Sequence, residues 1–138
     1  MLASYANAGT QYNQYRQQSA MTAAPGELTL MLYDGCIKDL KLARMYIEEK
    51  DLHLANENSK KAQAILDELM RTLDMQYPIA AQMMNLYEFI FGLVVQSNVK
   101  KDVGMIDTAL ELIIELRDAW QQAIRLNRQR AGAAASQV

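Results

Sequence analysis

Apolar residues recur at three- and four-residue steps from Leu28 to Ile124, and the breaks in that rhythm are short and polar. Such spacing lays one apolar stripe along an α-helix, whereas a strand needs a period of two, which no stretch sustains. Both prolines, Pro25 and Pro78, stand at the entrance of a periodic segment. There the fixed φ and missing N–H suit a first helical turn, and neither proline interrupts a helix. The pattern predicts an all-α chain.

Four helices follow from it. The first is expected over residues 25–49, with Leu28, Leu32, Cys36, Leu40, Ala43 and Ile47 on its core stripe and Glu27 at its positive end. Asp51 is placed to cap the second, over 52–75, whose stripe is Ala55, Ala62, Leu66, Leu69 and Leu73 opposite Glu57, Lys61 and Glu68. The third, over 78–97, carries Ile79, Met83, Leu86, Ile90 and Val94, and a polar turn from Ser97 to Lys101 ends it. Asp102 caps the fourth, over 103–130, which presents Ile106, Leu110, Ile113, Trp120 and Ile124. Arg125, Arg128 and Arg130 are expected to face its negative C-terminal end, and residues 131–138 to form a flexible tail.

Links of a few residues set consecutive helices side by side and antiparallel, which gives an elongated up-down four-helix bundle. Helices of about 25 residues extend roughly 37 Å, long enough to hold an extended or helical peptide. Residues 1–24 are of another kind: rich in Gln, Asn, Ser and Ala, with Tyr5, Tyr12 and Tyr15 at spacings of seven and three. In a helix those rings share one side, so the segment is either a mobile arm that docks through its tyrosines or a disordered tail.

With 138 residues the chain fits one domain, and 14 Lys and Arg against 16 Asp and Glu leave a net charge of −2. That balance gives no electrostatic reason to expect nucleic acid or an anionic membrane. The longest apolar run, Phe89 to Val95, is far shorter than the roughly 20 residues of a membrane span. One cysteine, Cys36, permits no intrachain disulfide, and the first 20 residues hold no signal-peptide core, so a reducing cytosol is the expected location.

Catalytic constellations are missing from the pattern. His53 is the only histidine and falls near a helix start, a poor match to the mid-helix histidine of a phosphotransfer bundle. Glu111 and Glu115 are one turn apart on a charged stripe that faces water. Cys36 aligns with Leu32 and Leu40 as a small core residue, and no phosphate loop or Glu-x-x-His pair occurs. No enzymatic activity, cofactor or metal is expected.

The apolar residues exceed what one bundle stripe requires. Leu30, Tyr33 and Ile37 flank the stripe of the first helix, and Met84, Phe91 and Val95 that of the third. Either a wide core or a binding groove accounts for such flanks. Nine methionines, Met31, Met45, Met83, Met84 and Met105 among them, suit gap-filling in a core and adaptable binding surfaces alike. Periodicity alone supports a helical interaction module.

The run Ala23-Ala24-Pro25-Gly26-Glu27-Leu28 followed by Leu30-Met31-Leu32-Tyr33-Asp34-Gly35 resembles the signature of the FliS family of flagellin export chaperones. Further stretches resemble the family in order: Ala43 with Ile47, Asn58, Lys61 to Ile65, Leu69 with Leu73-Asp74, Leu86-Tyr87, and Glu115-Leu116-Arg117-Asp118-Ala119-Trp120. Ala24 departs from the serine common before the proline, which would cap the helix for about 1 kcal/mol.

The resemblance implies a cytosolic bundle that holds the C-terminal segment of new flagellin, prevents premature polymerisation and delivers it to the flagellar type III apparatus through an export-gate protein. It also implies an N-terminal tyrosine segment over part of the binding surface, for which Tyr5, Tyr12 and Tyr15 are the candidates here. From helix faces, Leu32 is assigned to the core, Tyr33 and Asp34 to an exposed role, and Gly35 to close helix approach. Leu30, Ile37, Met84 and Phe91 complete the candidate partner-binding set. The competing reading is a related adaptor that uses the same bundle for another cargo, such as a flagellar regulator.

Overall fold

A computed structural model describes residues 26–136, with side chains described through residue 133. It contains four helices: α1 (Glu27–Glu48), α2 (Leu52–Arg71), α3 (Ala80–Lys100) and α4 (Val103–Ser136). Each helix packs against its neighbours in sequence and α1 also packs against α4, while the diagonal pairs α1/α3 and α2/α4 do not meet at backbone distance. The result is a four-cornered all-α bundle. Along the α1/α4 seam Asp34 meets Arg117 and Arg44 meets Asp107, a falling register that makes the two helices antiparallel. The arm of residues 1–24, with Tyr5, Tyr12 and Tyr15, lies outside the described residues.

The links are built from local chemistry. Asp51 caps α2 by accepting the Leu54 N–H at 3.1 Å, and Asp102 accepts the N–H groups of Gly104 and Met105 at 2.9 and 3.4 Å. Lys50 and Lys101 take left-handed φ values of 62° and 53° to end α1 and α3. The longer link between α2 and α3 is held by Asp74, whose carboxylate accepts the Gln76 N–H at 3.0 Å.

The bounds of the α2–α3 link and the ends of α3 and α4 differ from the sequence reading. Helix α2 ends at Arg71 and α3 begins at Ala80, because the Asp74 turn and the bias of Tyr77 before Pro78 keep this stretch out of the helix. Helix α3 runs through the polar stretch 97–100: Ser97 donates to the Val94 carbonyl at 2.7 Å, and Asn98 donates to Asn56 of α2 at 2.8 Å, so these polar groups are satisfied without a turn. Helix α4 continues to Ser136, through residues that are mostly good helix formers. Arg125, Arg128 and Arg130 consequently lie ahead of its last turn, too far back to compensate the dipole there.

The core is a single cluster of Tyr33, Cys36, Leu40 and Ala43 on α1, Ala62, Leu66 and Leu69 on α2, Tyr87, Ile90 and Val94 on α3, and Ile106, Ala109, Leu110 and Ile113 on α4. Burial of each large side chain stabilises the fold by roughly 1.5–3 kcal/mol. Two residues assigned to the core stripe are exposed, Leu28 at 46% and Ile79 at 59%. Leu28 falls in the first turn of α1, at the end of the bundle, and Ile79 precedes α3 in the link, outside the helix register that would turn it inward. Tyr33 departs the other way: it is fully buried, not exposed.

Candidate functional site

A cleft of about 420 Å³ opens where α2 ends and α3 begins. Leu69 and Leu73 form one wall, the link contributes Tyr77 and Ile79, Met83 and Tyr87 come from the first turns of α3, and Trp120 of α4 closes the far side. Its size falls within the range of preformed binding pockets. The polar groups at its rim are engaged locally: Thr72 donates its hydroxyl to the Glu68 carbonyl at 2.8 Å, and Asp74 holds the turn. What the cleft offers a ligand is therefore mainly apolar surface. Exposed Tyr77 and Ile79, at 65% and 59%, stand at its mouth.

The cleft has a rigid floor. The hydroxyls of Tyr33 and Tyr87 share a buried hydrogen bond of 2.5 Å, with ring centroids 6.4 Å apart. The bond ties α1 to α3 across a diagonal of the bundle where the two backbones do not touch. Burial raises the pKa of both phenols, so both stay protonated. Tyr87 is at once a cleft residue and a core residue.

The root of the N-terminal segment meets the same place. Gly26, with φ of 89°, places its carbonyl so that it accepts the Trp120 indole N–H at 2.6 Å as well as the Leu30 N–H at 3.3 Å. Asp34 and Arg117 pair at 2.6 Å two turns further along α1, and Glu27 pairs with Arg128. The stretch from Gly26 to Gly35 and the stretch from Glu115 to Trp120, far apart in sequence, are thus two sides of one seam.

An apolar track leads away from the cleft along α3. Asn98 faces α2 through its bond to Asn56, and Met84, Phe91 and Val95 lie within roughly 60° of Asn98 around the helix, so they line the α2/α3 seam. All three are partly buried, and Phe91 packs against the core. On the α4 side of α3, Phe89 is 56% exposed.

Of the residues singled out from sequence, Met84 and Phe91 fall on this track. Leu30 and Ile37 are partly buried on α1, Ile37 against the core, and Asp34 is exposed in its pair with Arg117. Tyr33 supports the cleft from beneath instead of facing solvent. The cleft residues Leu73, Tyr77 and Trp120 were not foreseen as a site. Their signal was the concentration of Leu73, Met75, Tyr77 and Ile79 in an interhelical link, where polar residues are the norm.

The residues weighed from sequence as catalytic candidates stand apart from the cleft among the described residues. His53 is exposed at the second position of α2, and Glu111 and Glu115 are both exposed. Cys36 is buried, and burial pushes its thiol up to about 12, the opposite of a nucleophile. Among the described residues no group of three or more His, Cys, Asp or Glu is positioned to hold a metal, and no helix is long and apolar enough to cross a membrane.

A four-helix bundle with an open apolar cleft at one end belongs to the class of helical binding proteins. The chain matches the family model described as flagellar protein FliS over residues 7–127. It is similar to the flagellar secretion chaperone FliS of Bacillus subtilis (strain 168), 44% identical over 117 residues, covering 85% of this chain and 88% of the relative. The FliS of Salmonella typhimurium (strain LT2) is 31% identical over 115 residues, covering 80% and 85%. A solved crystal structure of a flagellar chaperone from bacteria superposes with a TM-score of 0.70 at 22% identity, over 84% of this chain and 96% of that one, a likeness of fold. The chain belongs to the FliS family of flagellar secretion chaperones.

Proposed function

We infer that this chaperone binds the C-terminal segment of flagellin, keeps it from polymerising prematurely and delivers it, through an export-gate protein, to the flagellar type III apparatus, acting in the cytosol and catalysing no reaction. The observation that carries the reading is the apolar cleft between Leu73, Met83 and Trp120, continued by Met84 and Phe91 along α3. A segment that folds on binding can bury apolar residues in such a surface in place of its own assembly contacts. Leu30, Asp34 and Ile37 extend the candidate surface on α1, and Tyr33 acts from beneath by holding Tyr87.

The arm of residues 1–24 fits this reading as a cover. The chain enters the bundle at Gly26, whose carbonyl is bonded to the cleft residue Trp120. Cargo that displaces the arm must make contacts exceeding those of the arm.

The test is calorimetry with circular dichroism on the purified chain mixed with flagellin of its own organism, full length and lacking the C-terminal segment. Binding that requires the segment and adds helicity is expected. Absence of binding to both forms would move the assignment to an adaptor for another cargo, such as a flagellar regulator. Deleting residues 1–17 is expected to change flagellin affinity; an unchanged affinity would remove the arm from the mechanism.

A further inference from the structure

Helix α4 is 34 residues long, against 22, 20 and 21 for α1, α2 and α3. At 1.5 Å per residue it extends about 50 Å, and the others roughly 30–33 Å. Its surplus lies at the C-terminal end. Trp120 stands beside Ala80 and Met83 at the start of α3, and Arg128 pairs with Glu27, the first residue of α1. The turns beyond therefore project past the starts of both helices that flank α4.

The charge of this projection is one-sided. From residue 119 to residue 138 there are three arginines and no Asp or Glu. Arg128 is paired with Glu27, whereas Arg125 and Arg130 are exposed and have no ion pair among the described residues. The chain cannot neutralise them with its own N-terminal segment, because residues 1–25 also contain no carboxylate and add Arg16. Beside the charge runs an apolar line: Ala119, Ala123 and Leu126, at steps of four and three, share a face, and the next residue on it is Arg130. All three are exposed, Leu126 at 46%.

We propose that the exposed face of the C-terminal half of α4, from Ala119 to Arg130 and on into the projecting turns, is a docking surface for an acidic amphipathic helix of a protein partner, separate from the cleft. The small side chains of Ala119 and Ala123 let a second helix approach closely, Leu126 takes an apolar residue of that helix, and its carboxylates are received by Arg130, next on the same line, and by Arg125, about a third of a turn round the helix. One leucine and two alanines are too little to bury in a bilayer, and without aromatic side chains the face has no platform for stacked bases. Charge complementarity thus favours a protein.

The full chain is tested with a fluorescein-labelled helical peptide carrying Leu at heptad a and d positions and Glu at the exposed ones, and with its counterpart bearing Lys for every Glu. The acidic peptide is expected to bind at least about tenfold more tightly than the basic one, and less tightly as salt rises. The double variant R125E/R130E is expected to lose about tenfold in affinity for it, with helicity and melting unchanged because both side chains face solvent. Equal binding of the two peptides, or an unaffected variant, would overturn the proposal. So would displacement of the peptide by flagellin, which would put it in the cleft. Binding of wild-type protein to phosphatidylserine vesicles, or a dimer that the double variant splits, would replace the proposed occupant with a membrane or a second copy.

Discussion

The Trp120 indole donates to the carbonyl of Gly26 at 2.6 Å, across 94 positions of sequence. It joins the turn that starts α1 to the wall of the cleft, and it explains why a glycine stands there. A φ of 89° is strained for any residue with a Cβ, although there is room for one, since a Cβ here would meet Ile124 Cγ1 at an ordinary contact distance of 3.4 Å. Trp120→Phe removes the donor and leaves a smaller ring, which should lower stability by about 1–2 kcal/mol in urea unfolding. Gly26→Ala should cost a similar amount through strain alone, about 1–2 kcal/mol, and with Trp120 retained.

The Tyr33–Tyr87 pair makes a sharper prediction because both hydroxyls are out of water. Tyr33→Phe strands the Tyr87 hydroxyl in the core, at a cost of about 1–3 kcal/mol, while Tyr33→Phe with Tyr87→Phe removes both polar groups and should recover much of the loss. A double-mutant cycle on urea midpoints reads the coupling directly. Tyr33→Ala, by contrast, should unfold the bundle, so loss of cargo binding in that variant would say nothing about a contact surface.

The sequence and the structure part company over Tyr33 for a definable reason. Helix periodicity located the stripe of Leu32, Cys36, Leu40 and Ala43, and all but Leu32 are fully buried. It could not tell how wide the buried sector is, and in a bundle where each helix has two neighbours the core reaches round to Tyr33 and touches Ile37. Capping was legible at Asp51 and Asp102, because each is an acid directly before a periodic run. The cleft was not legible: its residues come from α1, α2, the link, α3 and α4, and only the closing of the bundle brings Leu73 to Trp120. The length of α4 was missed because low apolar content after Ile124 suggests a tail, although Gln, Arg and Ala sustain a helix well.

Lys50 supplies a stabilising substitution. Its φ of 62° closes α1 in the left-handed region, where a lysine carries a penalty that glycine does not. Lys50→Gly should raise stability by roughly 0.5–1 kcal/mol, the relief of strain exceeding glycine's greater freedom in the unfolded chain. Thermal unfolding of the two proteins in the same buffer is sufficient to see it.

Alkaline pH should weaken the fold in a specific window. Burial raises the Cys36 thiol from 9.0 to about 12, and it raises the Tyr33 and Tyr87 phenols above their ordinary value. Each folded-state pKa lies above its unfolded one, so the neutral forms stabilise the fold fully below the unfolded values, and that stability is lost as pH rises from about 9 upward. The urea midpoint should hold steady through neutral pH and fall progressively beyond pH 9. Cys36→Ala, whatever its effect at neutral pH, should show a shallower fall between 9 and 10, since one of the three raised groups is gone.

The cleft itself is tested at its mouth, where truncation leaves the core alone. Ile79 and Tyr77 are more than half exposed, so Ile79→Ala and Tyr77→Ala should leave melting almost unchanged. If flagellin buries these side chains against Met83 and Trp120, each truncation removes about 1–2 kcal/mol of binding, roughly a tenfold loss in affinity by calorimetry. Phe89→Ala provides the comparison, because Phe89 is equally exposed but faces the α4 side of α3, away from the α2/α3 track. A loss at Phe89 equal to that at Tyr77 would mean that cargo covers both faces of α3; a loss at Phe89 alone would shift the binding surface from the cleft to the α3/α4 seam.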